Sequence, residues 1–270
     1  MILAVSTSGP LASMALTESS TGAPVFLIEN QNLKQHSDFI NSALDQLLSF
    51  TNKKITDIHT LLIDHGPGSF TGVRVSVSFA KALGYSLNCP IYAYHSLDII
   101  FAQNYTTDYL DQNVLVLTNA YRNSLYASHF KVTPQMAHSI PKPEPFLIKY
   151  NQVESYIDQL KSPHPVRLLG NGYQAYFQNA TTLLPKIIPP PEASIQMSNY
   201  FYTIPTSLLN TRADLKNRAL QDPHALGLIL LYQNPNSLQN QTHWDSLLPF
   251  YLRLSSAEEV LSEKVPASQR

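Results

Sequence analysis

The chain has 270 residues, 44% of them hydrophobic, enough apolar material for one large domain or two small ones. Only 14% are charged, the net charge is −1 and no basic block occurs, so a lone nucleic-acid binder with a basic stripe is excluded; RNA contact is left to a partner or to a patch that folding assembles from scattered Arg and Lys. One cysteine, Cys89, excludes an internal disulfide and a cysteine zinc site, and reads as a small buried residue.

Met1–Val5 is a continuous apolar run closed by Ser6-Thr7-Ser8-Gly9-Pro10, the pattern of a buried strand and turn. It lacks the charged leader and long apolar run of a signal peptide. Ala12–Thr17 and Pro24–Glu29 follow as strands, and their short connections predict an antiparallel meander. Ser37–Phe50 carries Phe39, Ile40, Ala43, Leu44, Leu47 and Leu48 on one helical stripe. Thr60–Asp64 is a fourth strand, leading into Gly66-Pro67-Gly68-Ser69-Phe70-Thr71-Gly72. Ser69–Asn88 alternates like a strand over Val73, Val75, Val77 and Phe79, but about twenty residues is too long for one. As a helix it carries two apolar faces, Val73/Val77/Ala80/Gly84/Leu87 and Val75/Phe79/Ala82/Tyr85. It is therefore buried on two sides or meets another protein. Pro90–Tyr94 is a fifth strand and Ser96–Asn104 a third helix.

The element order then recurs without sequence repetition. Val114–Thr118, Ser124–Lys131 and Phe146–Lys149 read as strands, Gln152–Leu160 as a helix, Val166–Leu169 as a strand, and Gly170-Asn171-Gly172 turns into a helix near Tyr173–Gln178. Leu184–Thr206, with Pro189-Pro190-Pro191, reads as an irregular connection. Asp222-Pro223 opens a last helix through Tyr232, Asn234–Thr242 is polar linker, Leu248–Leu254 is extended, and the tail from Ser262 frays. The densest apolar run, Leu226–Tyr232, is too short for a bilayer, which predicts a soluble cytoplasmic protein with no membrane partner. The fold class is α/β.

The Gly66–Gly72 turn is either an anion cradle at a helix start, with Gly68, Ser69, Thr71 and Gly72 as candidates, or a structural tight turn; the second is favoured. No Gly-Lys-Ser/Thr follows, so it is not a P-loop, and Ser69 lacks the second glycine of a nucleophile elbow. His36, His59, His65 and His95 form no i, i+4 metal pair and read as capping or surface histidines. Asp64 is the one carboxylate at the turn, better placed as an anchor than as a base.

These residues carry a resemblance. Gly66–Arg74 is similar to the hallmark segment of the TsaB (YeaZ) family of proteins for tRNA threonylcarbamoyladenosine synthesis. Ile2–Ser8, His36-Ser37, Asn119-Ala120-Tyr121-Arg122 through Tyr126, and Tyr251-Leu252-Arg253 with Ala257-Glu258 resemble the family's opening strand, first-helix entry, hairpin and closing segment. Two departures stand out: Ser6 and Asn119 occupy positions where the family usually has Asp.

The resemblance implies an actin-like/Hsp70-like (ASKHA) fold of duplicated β-β-β-α-β-α subdomains with mixed sheets. The expected division is 1–105 (partner-binding helices), 106–255, with the final helix 223–233 returning to the first subdomain, and a tail at 256–270. It implies a non-catalytic subunit that docks on and activates a TsaD-type catalytic subunit, joined by a TsaE-type ATPase, with tRNA reached through the complex. The complex modifies adenosine 37 of tRNAs reading codons that begin with A. ATP and metal are expected in the partners, with no cofactor, catalytic residue or metal site in this chain. Phe39, Ile40, Leu44, Leu47, Val73, Val77, Ala80 and Gly84 are the expected partner-binding residues. The alternatives are a small phosphotransferase or peptidase-like enzyme using Ser69, and a homodimeric scaffold.

Overall fold

The computed structural model describes residues 1–18, 25–30, 36–105, 107–137, 140–178, 187–188, 200–204, 221–233 and 240–253. Five layers alternate helix and sheet. The first sheet is built on β1 (Ile2–Ser6), flanked by antiparallel β2 (Ala12–Thr17) and parallel β4 (Thr60–Asp64). β3 (Val25–Asn30) extends it beyond β2, and β5 (Ile91–Tyr94) beyond β4. Every residue of β1 and β4 is buried, so both faces of these strands are covered and their sequences run apolar without alternation.

Side-chain alternation nonetheless sorts these residues by layer. Leu3, Val5, Leu61 and Ile63 point to one face, where α1 (His36–Thr51) and α2 (Phe70–Leu87) cover them. Ile2, Ala4 and Leu62 point to the other, against α3 (Ser96–Asn104) and α6 (Ala225–Tyr232). α3 and α6 also meet the second sheet, formed by β6 (Asn113–Asn119), β7 (Ser124–Lys131), β8 (Phe146–Lys149) and β9 (Val166–Leu169). Phe101 of α3 stacks on Phe130 of β7, ring centroids 3.9 Å apart. A helix between two sheets has no solvent face, and every residue of α3 is buried. The outer face of the second sheet, with Leu115, Leu117 and Leu125, packs on α4 (Val153–Gln159) and α5 (Gly172–Phe177).

The element types expected along residues 1–178 are those observed. The Leu184–Thr206 connection is a correction. It contains β10 (Ile187–Ile188), parallel to β9, and β11 (Tyr200–Ile204), antiparallel to β3; the remainder of 181–206 lies outside the described residues. Tyr-Phe-Tyr-Thr-Ile is a strong strand sequence, and the free edge of β3 gives it a partner. Gln241–Thr242, expected as linker, forms β12 on the far edge, antiparallel to β5. The first sheet thus takes strands from both ends of the chain.

A buried pair ties α6 to this sheet. His224 Nε2 lies 2.5 Å from Glu29 Oε1 of β3, while His224 Nδ1 accepts from Leu226 N at 3.2 Å. The Nδ1 acceptor role places the ring proton on Nε2, where it donates to the carboxylate.

Candidate functional site

Asp64 ends β4 and is fully buried. Its Oδ2 accepts from Ser6 Oγ at 2.7 Å and Ser8 Oγ at 2.5 Å; its Oδ1 accepts from Ser96 Oγ at 2.6 Å and Gly66 N at 3.0 Å. One carboxylate thus joins the turn after β1, the glycine turn and the start of α3. Four donors occupy the acceptor positions a general base would need, so Asp64 is an anchor. Ser6 spends its hydroxyl here; an aspartate in its place would set a second carboxylate against Asp64. Asn119 is likewise structural: its Oδ1 accepts from Tyr121 N at 2.8 Å.

The glycine turn is packed against backbone. A Cβ on Gly72 would lie 1.9 Å from Thr7 O, and one on Gly68 would lie 2.5 Å from Ser8 O. Ser69 N donates to Ser8 O at 2.7 Å, and Gly72 N donates to Ser69 Oγ at 3.3 Å, the N-cap of α2. The space and two of the donors of a phosphate cradle are therefore used inside the fold. Of Gly68, Ser69, Thr71 and Gly72, Thr71 alone is exposed. The anion-cradle reading does not fit this geometry; the tight-turn reading does.

The eight residues expected to meet a partner lie elsewhere than supposed. Phe39, Ile40, Leu44, Leu47, Val73, Val77, Ala80 and Gly84 are all buried, most of them in the core between α1, α2 and the first sheet. The physical reason is that the sheet needs cover, and it takes the stripe richest in bulky aliphatic residues. α2 keeps its second apolar stripe outward: Val75 and Phe79 are half-buried, Ala82 is exposed, and Tyr85 is 68% exposed. Beside it α1 presents Asn41, Ser42, Asp45, Gln46 and Phe50, the last 60% exposed. Tyr85 packs edge-on against Trp244 at 5.0 Å, so residues after β12 border this surface.

Residues 248–253 run over the glycine turn. Phe250 N donates to His65 O at 2.8 Å, and Tyr251 stacks on Phe70 at 4.9 Å. Beneath Phe250, the His65 and His95 rings stack at 4.8 Å. Burial lowers both pKa values, that of His95 to about 4 with a further lowering from His65, so both are neutral aromatic packing at neutral pH. Of these two histidines, expected as caps or surface groups, His95 occupies the N-cap position of α3 but makes no side-chain capping bond, and both rings pack against Phe250.

Sequence reading missed Asp98. It is 3% exposed inside α3, and burial raises its pKa from the ordinary 3.8 to about 8, against a smaller opposing pull from Lys142. The folded state therefore holds a proton that the unfolded chain releases near pH 4. Stability from this group is full below that range. It falls by up to about 1.4 kcal/mol per pH unit until Asp98 ionises near pH 8. Urea unfolding at pH 6 and pH 9 should show a larger loss for the natural chain than for Asp98→Asn. Parallel losses would contradict the protonated assignment.

Residues 30–260 match the family model described as TsaD: tRNA N6-adenosine threonylcarbamoyltransferase. The chain is similar to the tRNA threonylcarbamoyladenosine biosynthesis protein TsaB of Buchnera aphidicola subsp. Schizaphis graminum, 28% identical over 174 residues, covering 64% of this chain and 80% of the relative. It is similar to the protein of the same name from Bacillus subtilis, 30% identical over 130 residues, covering 48% of this chain and 55% of that relative, about half its length. Among solved structures, YeaZ from Pseudomonas aeruginosa matches with a TM-score of 0.65 at 18% identity, covering 93% of this chain and 99% of that one. That likeness bears on the fold and agrees with the two-sheet α/β architecture.

Proposed function

This chain belongs to the TsaD: tRNA N6-adenosine threonylcarbamoyltransferase family, and we propose that it is the non-catalytic, TsaB-type subunit of the complex that forms threonylcarbamoyladenosine in tRNA. The relatives named TsaB bear out the resemblance drawn from the sequence. In this reading the chain docks on a TsaD-type catalytic subunit and holds it in its active conformation. A TsaE-type ATPase completes the assembly, and ATP and metal reside in those partners. Support comes from the structural use of Asp64 and the glycine turn. A cytoplasmic location follows from the tRNA substrate; among the described residues no helix is long and apolar enough to cross a membrane.

One observation carries the docking reading: α2 has a second apolar stripe, Val75/Phe79/Ala82/Tyr85, that its own core leaves outward. Ser78 and Ala82 are exposed on it, so the double variant Ser78→Glu/Ala82→Glu should fold normally. It should bind the TsaD-type subunit about ten-fold or more weakly, read as loss of co-elution in size-exclusion chromatography. Unchanged co-elution of a folded variant would sink the assignment. The homodimeric scaffold is the second reading, favoured by the same stripe. A chain that sizes as a dimer alone and keeps that dimer when the TsaD-type subunit is added would support it instead.

A further inference from the structure

α2 carries two cations, Arg74 and Lys81, and no acid. Phe70, Arg74, Lys81 and Tyr85 share one flank of the helix by their spacing, and residues 244–251 run along that flank. The two cations fare differently there. Lys81 is half-buried, and its Nζ donates to Asp245 O at 3.3 Å and Leu247 O at 3.1 Å. Arg74 is exposed. Its guanidinium carbon sits 3.7 Å from the Phe70 ring centroid, and its Nε donates to Tyr251 OH at 3.0 Å. Phe70 and Tyr251 stack on each other at 4.9 Å, so the group is fixed by two rings that are themselves fixed. These contacts use one face and one N–H of the guanidinium. Among the described residues no carboxylate pairs with Arg74, and its two terminal nitrogens make no hydrogen bond. The Tyr251 hydroxyl accepts from Nε, which leaves its own proton to donate outward. The result is an ordered set of donors at the surface with no acceptor inside the fold.

We propose that Arg74, held by Phe70 and Tyr251, is the charged anchor of the α2 docking surface and receives an aspartate or glutamate carboxylate of the TsaD-type subunit. The inference deepens the docking reading given above and rests on it. Arg74 directly precedes Val75 and lies one turn before Ser78, so it edges the outward stripe Val75/Phe79/Ala82/Tyr85. A partner laid on that stripe covers Arg74 as well. The terminal N–H₂ groups of a guanidinium form a planar fork that matches the two oxygens of a carboxylate. The Tyr251 hydroxyl adds a further donor beside it. Because the guanidinium is oriented before the partner arrives, less side-chain entropy is lost on docking. Arginine and tyrosine are also the residues that most often carry the binding energy of a protein interface. One open cation beside an apolar stripe suits a single carboxylate. A nucleic acid is met by a cluster or stripe of cations, and the other cation of α2 is already spent on carbonyl groups.

The test is calorimetric titration of the full chain with the TsaD-type subunit at about 0.1 M and about 1 M salt, between which the screening length falls from about 10 Å to about 3 Å. Arg74→Gln should bind about ten-fold more weakly at the lower salt and show a smaller loss at the higher, where the natural pair is itself screened. Arg74→Lys keeps the charge without the fork and should recover only part of the loss. Tyr251→Phe keeps the stacked ring, removes the hydroxyl and should weaken binding about three-fold. Arg74 is exposed, so its variants should melt close to the natural chain. An affinity of Arg74→Gln within about two-fold of the natural chain at the lower salt overturns the anchor and leaves the docking reading standing. A loss of equal size at both salt concentrations also overturns it and makes Arg74 a packing residue. Unchanged partner affinity with weaker binding of a tRNA transcript by the assembled complex overturns it too, and puts a phosphate where the carboxylate was proposed. A natural chain that does not bind the TsaD-type subunit at all defeats the docking reading and the anchor together.

Discussion

Replacing Asp64 with alanine should lower unfolding stability by about 3–4 kcal/mol, and replacing it with asparagine by only about 1–2 kcal/mol. The difference follows from the donors around the carboxylate. Alanine strands three buried hydroxyls and the Gly66 N–H at once. Part of that loss is recovered. Ser6 Oγ already lies 3.1 Å from Pro223 O, and Ser8 and Ser96 lie 3.0 Å apart and can bond each other. Asparagine keeps one oxygen for Gly66 N and Ser96, and offers an N–H₂ group that Ser6 and Ser8 accept after rotating their hydroxyls. Urea denaturation of the two variants measures both values. The same pair separates an anchor from a catalytic group. If Asp64 worked as a base, asparagine would abolish tRNA modification as fully as alanine. As an anchor, Asp64→Asn retains most of it in a reconstituted assay.

The second large effect is expected at Gly72. Its α-carbon faces the backbone of Thr7 so closely that an added methyl carbon would lie 1.9 Å from a carbonyl oxygen. Thr7 is itself tied to α2 by its hydroxyl, which donates to Gly72 O at 2.7 Å. Neither backbone can yield alone, because β1 is the central strand and α2 covers it. Gly72→Ala should therefore cost about 4 kcal/mol or more, with early proteolysis of the chain. Gly84→Ala is the informative comparison. There the new methyl meets the Ile91 side chain at 2.7 Å, and a side-chain terminus can move. About 1–2 kcal/mol is expected, the usual cost of modest overpacking. Equal melting temperatures for the two variants would contradict the close backbone approach at Gly72.

Both effects concern the segment that presents the proposed partner surface. The Asp64 network and the Gly72 contact fix where α2 leaves the sheet. That fixes the outward stripe of α2 and the position of Phe70 and Arg74 against Tyr251. A variant at either position should thus weaken partner contacts only in proportion to its loss of folded chain.

Local pattern made most elements legible. The stripe Phe39–Leu48, the apolar run of β1 and the length of the Ser69–Asn88 segment are short-range signals, and each produced the expected element. The signals that failed were those a partner strand supplies. Tyr200–Ile204 is strand-like in composition, yet surrounding prolines suggest a loop until β3 offers its edge. Gln241–Thr242 has almost no strand character and is held by pairing with β5 alone. Asp98 shows the same limit in electrostatics. An aspartate near a helix start reads as a favourable first-turn charge, and only the second sheet over α3 turns it into a buried, protonated acid.

The sequence by itself determined that this is an α/β protein, that the glycine turn launches a helix with two apolar faces, and which family it resembles. Those are properties of short segments, carried by periodicity and by glycines at fixed spacing. Tertiary structure decided which face of that helix is buried. Both stripes are apolar, so polarity alone does not show which one the sheet claims; the packing of α2 over Leu61 and Ile63 does. It also decided that Arg74 meets Tyr251 and that Arg253 meets the Ala120–Tyr121 backbone. Residues so far apart in the chain carry no mutual signal until the sheets bring their segments together.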